Sequence, residues 1–153
     1  LDQLLGSINR KRLDLADSTG RRVPVSLNVA PDLENDALPA IAETVSRHQM
    51  DAVIANNTTI SREEVRGMNH AEEAGGLSGA PLKAKADAVL GALRELLPAE
   101  IALIGVGGIT RGQDAVDKLD LGADLVQFYT GMVYRGPDLL KECLQAIANR
   151  QAG

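Results

Sequence analysis

Tryptophan is absent, cysteine and phenylalanine occur once each, and the chain holds only two tyrosines and two histidines. A single Cys143 excludes an internal disulfide. It lies in the periodic segment 139–147, where a small buried residue is the expected role rather than a nucleophile. Cations are in the minority, with Lys and Arg totalling 16 against 21 Asp and Glu, a net charge of -5 and a pI near 5.0. A polyanion-binding surface needs clustered Lys and Arg, so nucleic acid is not an expected partner. Long apolar runs are missing too. None approaches the roughly 20 residues that cross a bilayer, and residues 1–12 lack the contiguous apolar centre of a signal peptide, which predicts a cytoplasmic chain. No metal site is expected.

What remains is 153 residues, 44% hydrophobic and 24% charged, enough for one domain spanning 1–153 with its own core. Few aromatics beside 15 glycines suit close packing of helices on a sheet. Residues 23–29, VPVSLNV, alternate apolar with small or polar side chains and predict a strand with one polar face that carries Asn28. Asp32 is placed to cap a helix whose inward stripe is Leu38, Ile41, Ala42 and Val45. Residues 51–55 predict a second strand, followed by a long polar connection through Gly75 and Gly76. Pro81 suits the first turn of a helix running to Leu97. Residues 101–106 predict a third strand, and Thr110 with Gln113 forms a capping-box signature for a helix ending at Gly122. Residues 124–128 predict a fourth strand, and Pro137 opens a helix carrying Leu139, Leu140, Cys143, Leu144 and Ile147. Leu4, Leu5, Ile8 and Leu15 predict a leading helix over about 1–18.

Four strand–helix units behind a leading helix mean parallel strands joined by right-handed crossovers. Such units belong to an open doubly wound sheet or to part of a closed eight-unit barrel, and a complete barrel takes about 250 residues.

The third strand runs straight into Gly107 and Gly108. Ligands of parallel α/β proteins sit beyond the carboxyl ends of the strands, where short turns expose backbone N–H groups. Glycine there lets the main chain approach a phosphate oxygen, although an isolated GVGG is as well explained by a tight turn. A second turn, YTGMVYRGP at 129–137, adds a small hydroxyl residue, a glycine and room for one short helical turn. Barrel enzymes frequently build a phosphate site from the last two strand-to-helix loops and a short extra helix. Gly107, Gly108, Tyr129, Thr130 and Gly131 are therefore candidates to surround one phosphate, held by main-chain donors rather than lysines.

The motifs VAPDL (29–33), IANNTTISR (54–62), GGLSGAPL (75–82), IGVGGI (104–109) and LVQFYTGMVYRGP (125–137) together resemble the second half of class 2, quinone-dependent dihydroorotate dehydrogenase. The resemblance implies the C-terminal half of an FMN-binding (β/α)8 barrel, from an enzyme that oxidises dihydroorotate to orotate in pyrimidine synthesis. It implies FMN-phosphate contacts at Gly107, Gly108, Tyr129 and Thr130, a flavin lining at Ser78 and Gly79, and orotate contacts from Asn57 and Thr58. Two flavin-contacting positions depart from the family pattern: Asn28 stands where the family has lysine, and Asn56 where it has threonine. A lysine there supplies a fixed cation beside a reduced flavin, whereas asparagine supplies only a dipole.

The family's catalytic base is a serine on the first half of the barrel, with the membrane-docking helices, so the resemblance implies a quinone acceptor and an inner-membrane periphery for the parent enzyme and no turnover by this chain alone. Ser26, Ser61 and Ser78 do not match that base, and His48 and His70 show no recognisable partner. Two other functions stay open: a non-catalytic half-barrel that self-associates through its exposed edges, and a binder of some other phosphorylated small molecule.

Overall fold

Four short strands, β1 (Ser26–Val29), β2 (Ala52–Ala55), β3 (Ala102–Val106) and β4 (Leu125–Gln127), form one parallel sheet in the order β1-β2-β3-β4. The helices are α1 (Asp2–Thr19), α2 (Ala37–Arg47), α3 (Lys83–Leu96), α4 (Gly112–Asp120), α5 (Thr130–Arg135) and α6 (Asp138–Ala152). The computed structural model describes residues 1–34 and 36–152. A doubly wound sheet reverses its strand order at a switch point. This one never reverses, which is the strand order of a parallel α/β barrel rather than of a doubly wound sheet: four strand–helix units laid side by side as an open arc.

The register explains which face is which. Leu27, Val53 and Leu103 are lateral neighbours, as are Val29, Ala55, Gly105 and Val126 one step on, and alternate residues of a strand share a face. Those on β1–β3 pack under α1, α2 and α3 with Leu5, Leu38, Ala42, Val45, Leu90 and Leu93. Val126 joins a second cluster of Ile109, Ala115, Leu139 and Cys143. Full burial of Leu90 and Leu93 contributes roughly 1.5–3 kcal/mol each. The opposite face carries Asn28, Ile54, Ile104, Val106, Leu125 and Gln127; it is the concave side of the arc, and Leu125 is 59% exposed there.

Several local expectations give way to tertiary partners. Strand β1 begins at Ser26 rather than 23: at Val25 the carbonyl still accepts from the Asp51 N–H at 2.9 Å, but the Val25 N–H turns to the Asp51 carboxylate at 2.7 Å instead of a main-chain carbonyl. Asp32 caps no helix. Its carboxylate accepts from the Thr59 hydroxyl at 2.6 Å, from the Ile60 N–H at 2.8 Å and from Lys85, and α2 starts five residues later. The capping box of α4 is not Thr110–Gln113: Asp114 takes the role, accepting from the Thr110 and Arg111 N–H groups at 2.9 and 3.1 Å, while Gln113 reaches forward to Asp117. Helix α4 stops at Asp120, and Gly122 follows its end with φ +96°. Pro81 sits in a 3-10 turn, Ala80–Leu82, that leads into α3.

The histidines do have partners. His48 Nε2 lies 2.8 Å from Asp2 on α1, and His70 Nδ1 lies 2.7 Å from Glu73. On α6 only Leu139 and Cys143 of the expected stripe are buried, with Ile147 half-buried; Leu140 and Leu144 face outward at the β4 end of the arc.

Candidate functional site

A cavity of about 480 Å³ opens at the carboxyl ends of the strands. It is lined by Asn28 from β1, by Asn56, Asn57 and Thr58 after β2, and by Ser78 and Gly79 ahead of α3. Gly107 and Gly108 after β3, and Tyr129, Thr130 and Gly131 at the start of α5, complete the rim. All ten residues assigned to cofactor or substrate from the sequence thus border one space. Val106, Ile109, Gln127 and Phe128 line it too and went unread. The signal for Gln127 was present: it lies two residues after Leu125 on the concave face, where a polar residue ending a strand points at the site.

Main-chain geometry makes the β3 turn. Gly107 and Gly108 have φ of +96° and +78°, angles that side chains with a β-carbon rarely adopt. Space is short as well: a β-carbon at Gly108 falls 2.5 Å from Lys83 Cα and 2.8 Å from Lys83 N, so the turn rests on the first residue of α3. Gly105 answers to a different constraint. It faces the helices, and a β-carbon there meets Lys118 Cδ at 2.9 Å, so its absence admits the stem of a buried lysine.

Across the rim, the Thr130 hydroxyl donates to Ser78 Oγ at 2.9 Å, tying the start of α5 to the GGLSG loop. Behind Asn57 and Thr58, the next residue, Thr59, pairs with Leu77 through reciprocal main-chain bonds of 3.0 and 2.7 Å. Arg62 braces the same loop by donating to the Glu73 and Gly75 carbonyls.

No lysine, arginine, histidine or carboxylate is among the described lining residues. An anion here meets N–H and O–H donors rather than a cation. The nearby charges lie outside and are paired, Lys83 with Asp87 and Asp117, Lys118 with Asp87, Lys85 with Asp32. Burial works against the Asp32 carboxyl's charge, but Lys85, Thr59 and the Ile60 N–H outweigh it and hold the group below the ordinary carboxylate range. Lys83 is pushed down by burial, yet Asp87 and Asp117 raise it overall, whereas burial prevails at Lys118 and lowers it. Inside the cavity, Asn56 is 2% exposed and neither its amide nitrogen nor its oxygen has a partner among the described residues. Buried carboxamides without partners are rare.

The family model "Dihydroorotate dehydrogenase" matches residues 4–150. The chain belongs to the dihydroorotate dehydrogenase family. It is 50% identical over 149 residues to dihydroorotate dehydrogenase (quinone) of Polaromonas naphthalenivorans, covering 97% of this chain and 43% of that protein. It is 51% identical over 152 residues to the protein of the same name from Paraburkholderia phymatum, covering 99% and 44%. Among solved structures it superposes on DHODH of Eimeria tenella in complex with ferulenol with a TM-score of 0.81 at 36% identity, covering 88% of this chain and 36% of that one. A ligand-free form of that protein gives the same TM-score. The chain therefore spans somewhat over two-fifths of the length of these curated relatives and forms a partial barrel of the family's fold.

Proposed function

We propose that this chain is the C-terminal, cofactor-bearing part of an FMN-dependent dihydroorotate dehydrogenase of the quinone type, oxidising dihydroorotate to orotate in pyrimidine biosynthesis. The observation that carries the reading is the convergence of the turns at Gly107–Gly108 and Tyr129–Thr130 on one cavity with Asn57, Thr58 and Ser78. The fit to FMN is chemical. A phosphate suits a cradle of main-chain donors and hydroxyls with no bulk in the way, and a ring carrying amide-like edges suits the exposed carboxamides and hydroxyl of Asn28, Asn57 and Thr58 on the lining. FMN, once bound, supplies the hydride acceptor.

The chain's own residues have distinct duties. Gly107, Gly108 and the start of α5 hold the phosphate; Ser78, Gly79, Asn28 and Asn56 line the ring; Asn57 and Thr58 orient the substrate. The proton leaving dihydroorotate goes to a base contributed by the remainder of the barrel, so this chain alone does not turn over. The same reading assigns the parent enzyme a quinone acceptor and a place at the periphery of the inner membrane. No helix among the described residues is long and apolar enough to cross a membrane.

Purified chain mixed with FMN should retain flavin absorbance through gel filtration, and added dihydroorotate should not bleach it. Failure to retain FMN at any concentration tried would refute the cofactor assignment, and bleaching by this chain alone would refute the need for the other part.

A second reading is self-association. The outer edges of β1 and β4 have no strand partner among the described residues, and Leu125, Leu140 and Leu144 at the β4 end are 59%, 46% and 59% exposed. Two arcs joined β4 to β1 close an eight-stranded ring. Sedimentation distinguishes it: a monomer at micromolar concentration rules it out.

A further inference from the structure

Behind the glycine turn, four ionic side chains form one line across the seam between α3 and α4. The stem of Lys118 crosses β3 at Gly105, and its ammonium, with 0% of the side chain exposed, donates to Asp87 Oδ1 at 2.7 Å. The other oxygen of Asp87 accepts from Lys83 Nζ at 2.7 Å, and Lys83 also donates to Asp117 Oδ2 at 2.9 Å. Lys83 is the first residue of α3, the same residue whose main chain supports Gly108. The line therefore connects strand β3, helix α4 and the residue beneath the turn.

Stability alone does not account for it. Burying an ammonium is costly even when paired, and apolar residues of similar volume commonly serve a helix–strand seam as well or better. What an ion-pair line adds is a defined geometry, and the cradle beside it is uncharged and depends on donor placement. We propose that Lys118 and Asp87 are positioning residues that fix the first turn of α3 against β3, and so set where the Gly107 and Gly108 amides meet a phosphate. The proposal rests on the FMN reading above.

The test compares FMN with riboflavin, which differs from it only by the phosphate. Affinities for both are measured by flavin fluorescence on the parent chain and on the double variant Lys118→Met/Asp87→Leu, which removes the buried ammonium together with its half-buried partner and leaves Lys83 its contact with Asp117. FMN affinity should fall by about tenfold, the scale of losing an outer support, while riboflavin affinity stays unchanged. A folded double variant that keeps the parent's preference for FMN overturns the proposal, and so does an equal loss for both flavins, which marks a merely structural seam. Should the double variant melt below the assay temperature, Lys118→Met alone, in which Asp87 keeps Lys83, is read by the same ratio. A parent chain that binds both flavins equally removes the phosphate turn itself, and this proposal with it; a discriminating parent beside an equally discriminating variant removes this proposal alone.

Discussion

The hydroxyl of Thr130 donates to the hydroxyl of Ser78 at 2.9 Å, joining the first residue of α5 to the loop that precedes α3 across 52 residues of sequence. Both side chains line the cavity, and Gly79, the next residue, lies close enough that a β-carbon on it meets the Thr130 methyl at 3.3 Å. The rim on this side is thus a contact between two strand-to-helix loops rather than a property of either. Thr130→Val removes the donor and keeps the shape. It should cost about 1 kcal/mol of stability, read as a small fall in melting temperature, together with a severalfold weaker retention of FMN. An unchanged FMN affinity would place the phosphate elsewhere.

Gly108→Ala tests the turn. The substitution meets both a φ of +78° and the main chain of Lys83. Strained backbone costs roughly 1 kcal/mol and overpacking roughly 2 kcal/mol more, so a loss of about 3 kcal/mol is expected in chemical denaturation, with FMN binding lost before folding is.

Asp32 links three segments through Thr59, Ile60 and Lys85, and its carboxyl is held below the ordinary value of 3.8. A carboxyl whose folded-state value is depressed contributes stability that is present above the unfolded value and lost as pH falls through the folded one. Asp51 and Asp117 are lowered as well, Asp51 against its burial by the Val25 N–H and Arg22, Asp117 by Gln113 and Lys83. Stability should be flat with pH near neutrality and fall below about pH 4, and Asp32→Asn should remove roughly 1–2 kcal/mol at pH 7 while flattening that acid limb. Melting curves from pH 7 to 2.5 check both.

Asn28 is exposed on the concave face of β1, at the cavity. Asn28→Lys introduces the only cation among the described lining residues. A fixed positive charge beside a reduced flavin favours the reduced form, so the midpoint potential of bound FMN should rise, by about 30 mV for each 1.4 kcal/mol of differential stabilisation. A dye-coupled titration that finds no rise would separate Asn28 from the flavin.

Much of the architecture was legible in the sequence because period-two and helical patterns are local. Residues 51–55 and 101–106 became β2 and β3 almost unchanged, since buried parallel strands carry dense apolar runs. Errors fell where a side chain chose a distant partner over a near one. Asp32 has the right chemistry for a cap at its position, but Lys85, 53 residues on, and Thr59 claim it. His48 has no partner nearby in sequence because its carboxylate, Asp2, belongs to the leading helix 46 residues back. Leu140 and Leu144 fit an inward stripe by spacing, yet spacing does not say whether a neighbouring element exists to cover them, and they stay exposed. Lys118 carried no local signal of burial, since only the gap left by Gly105 makes room for it.

By itself the sequence determined the elements, their alternation and the two glycine turns, because those follow from side-chain periodicity and from which backbone angles each residue tolerates. The tertiary structure decided the winding of the sheet, the joining of loops 52 residues apart at Ser78 and Thr130, and the ion-pair line from the buried Lys118 to the half-buried Lys83. Those depend on distances between segments far apart in the chain, which exist only once the strands have paired in register.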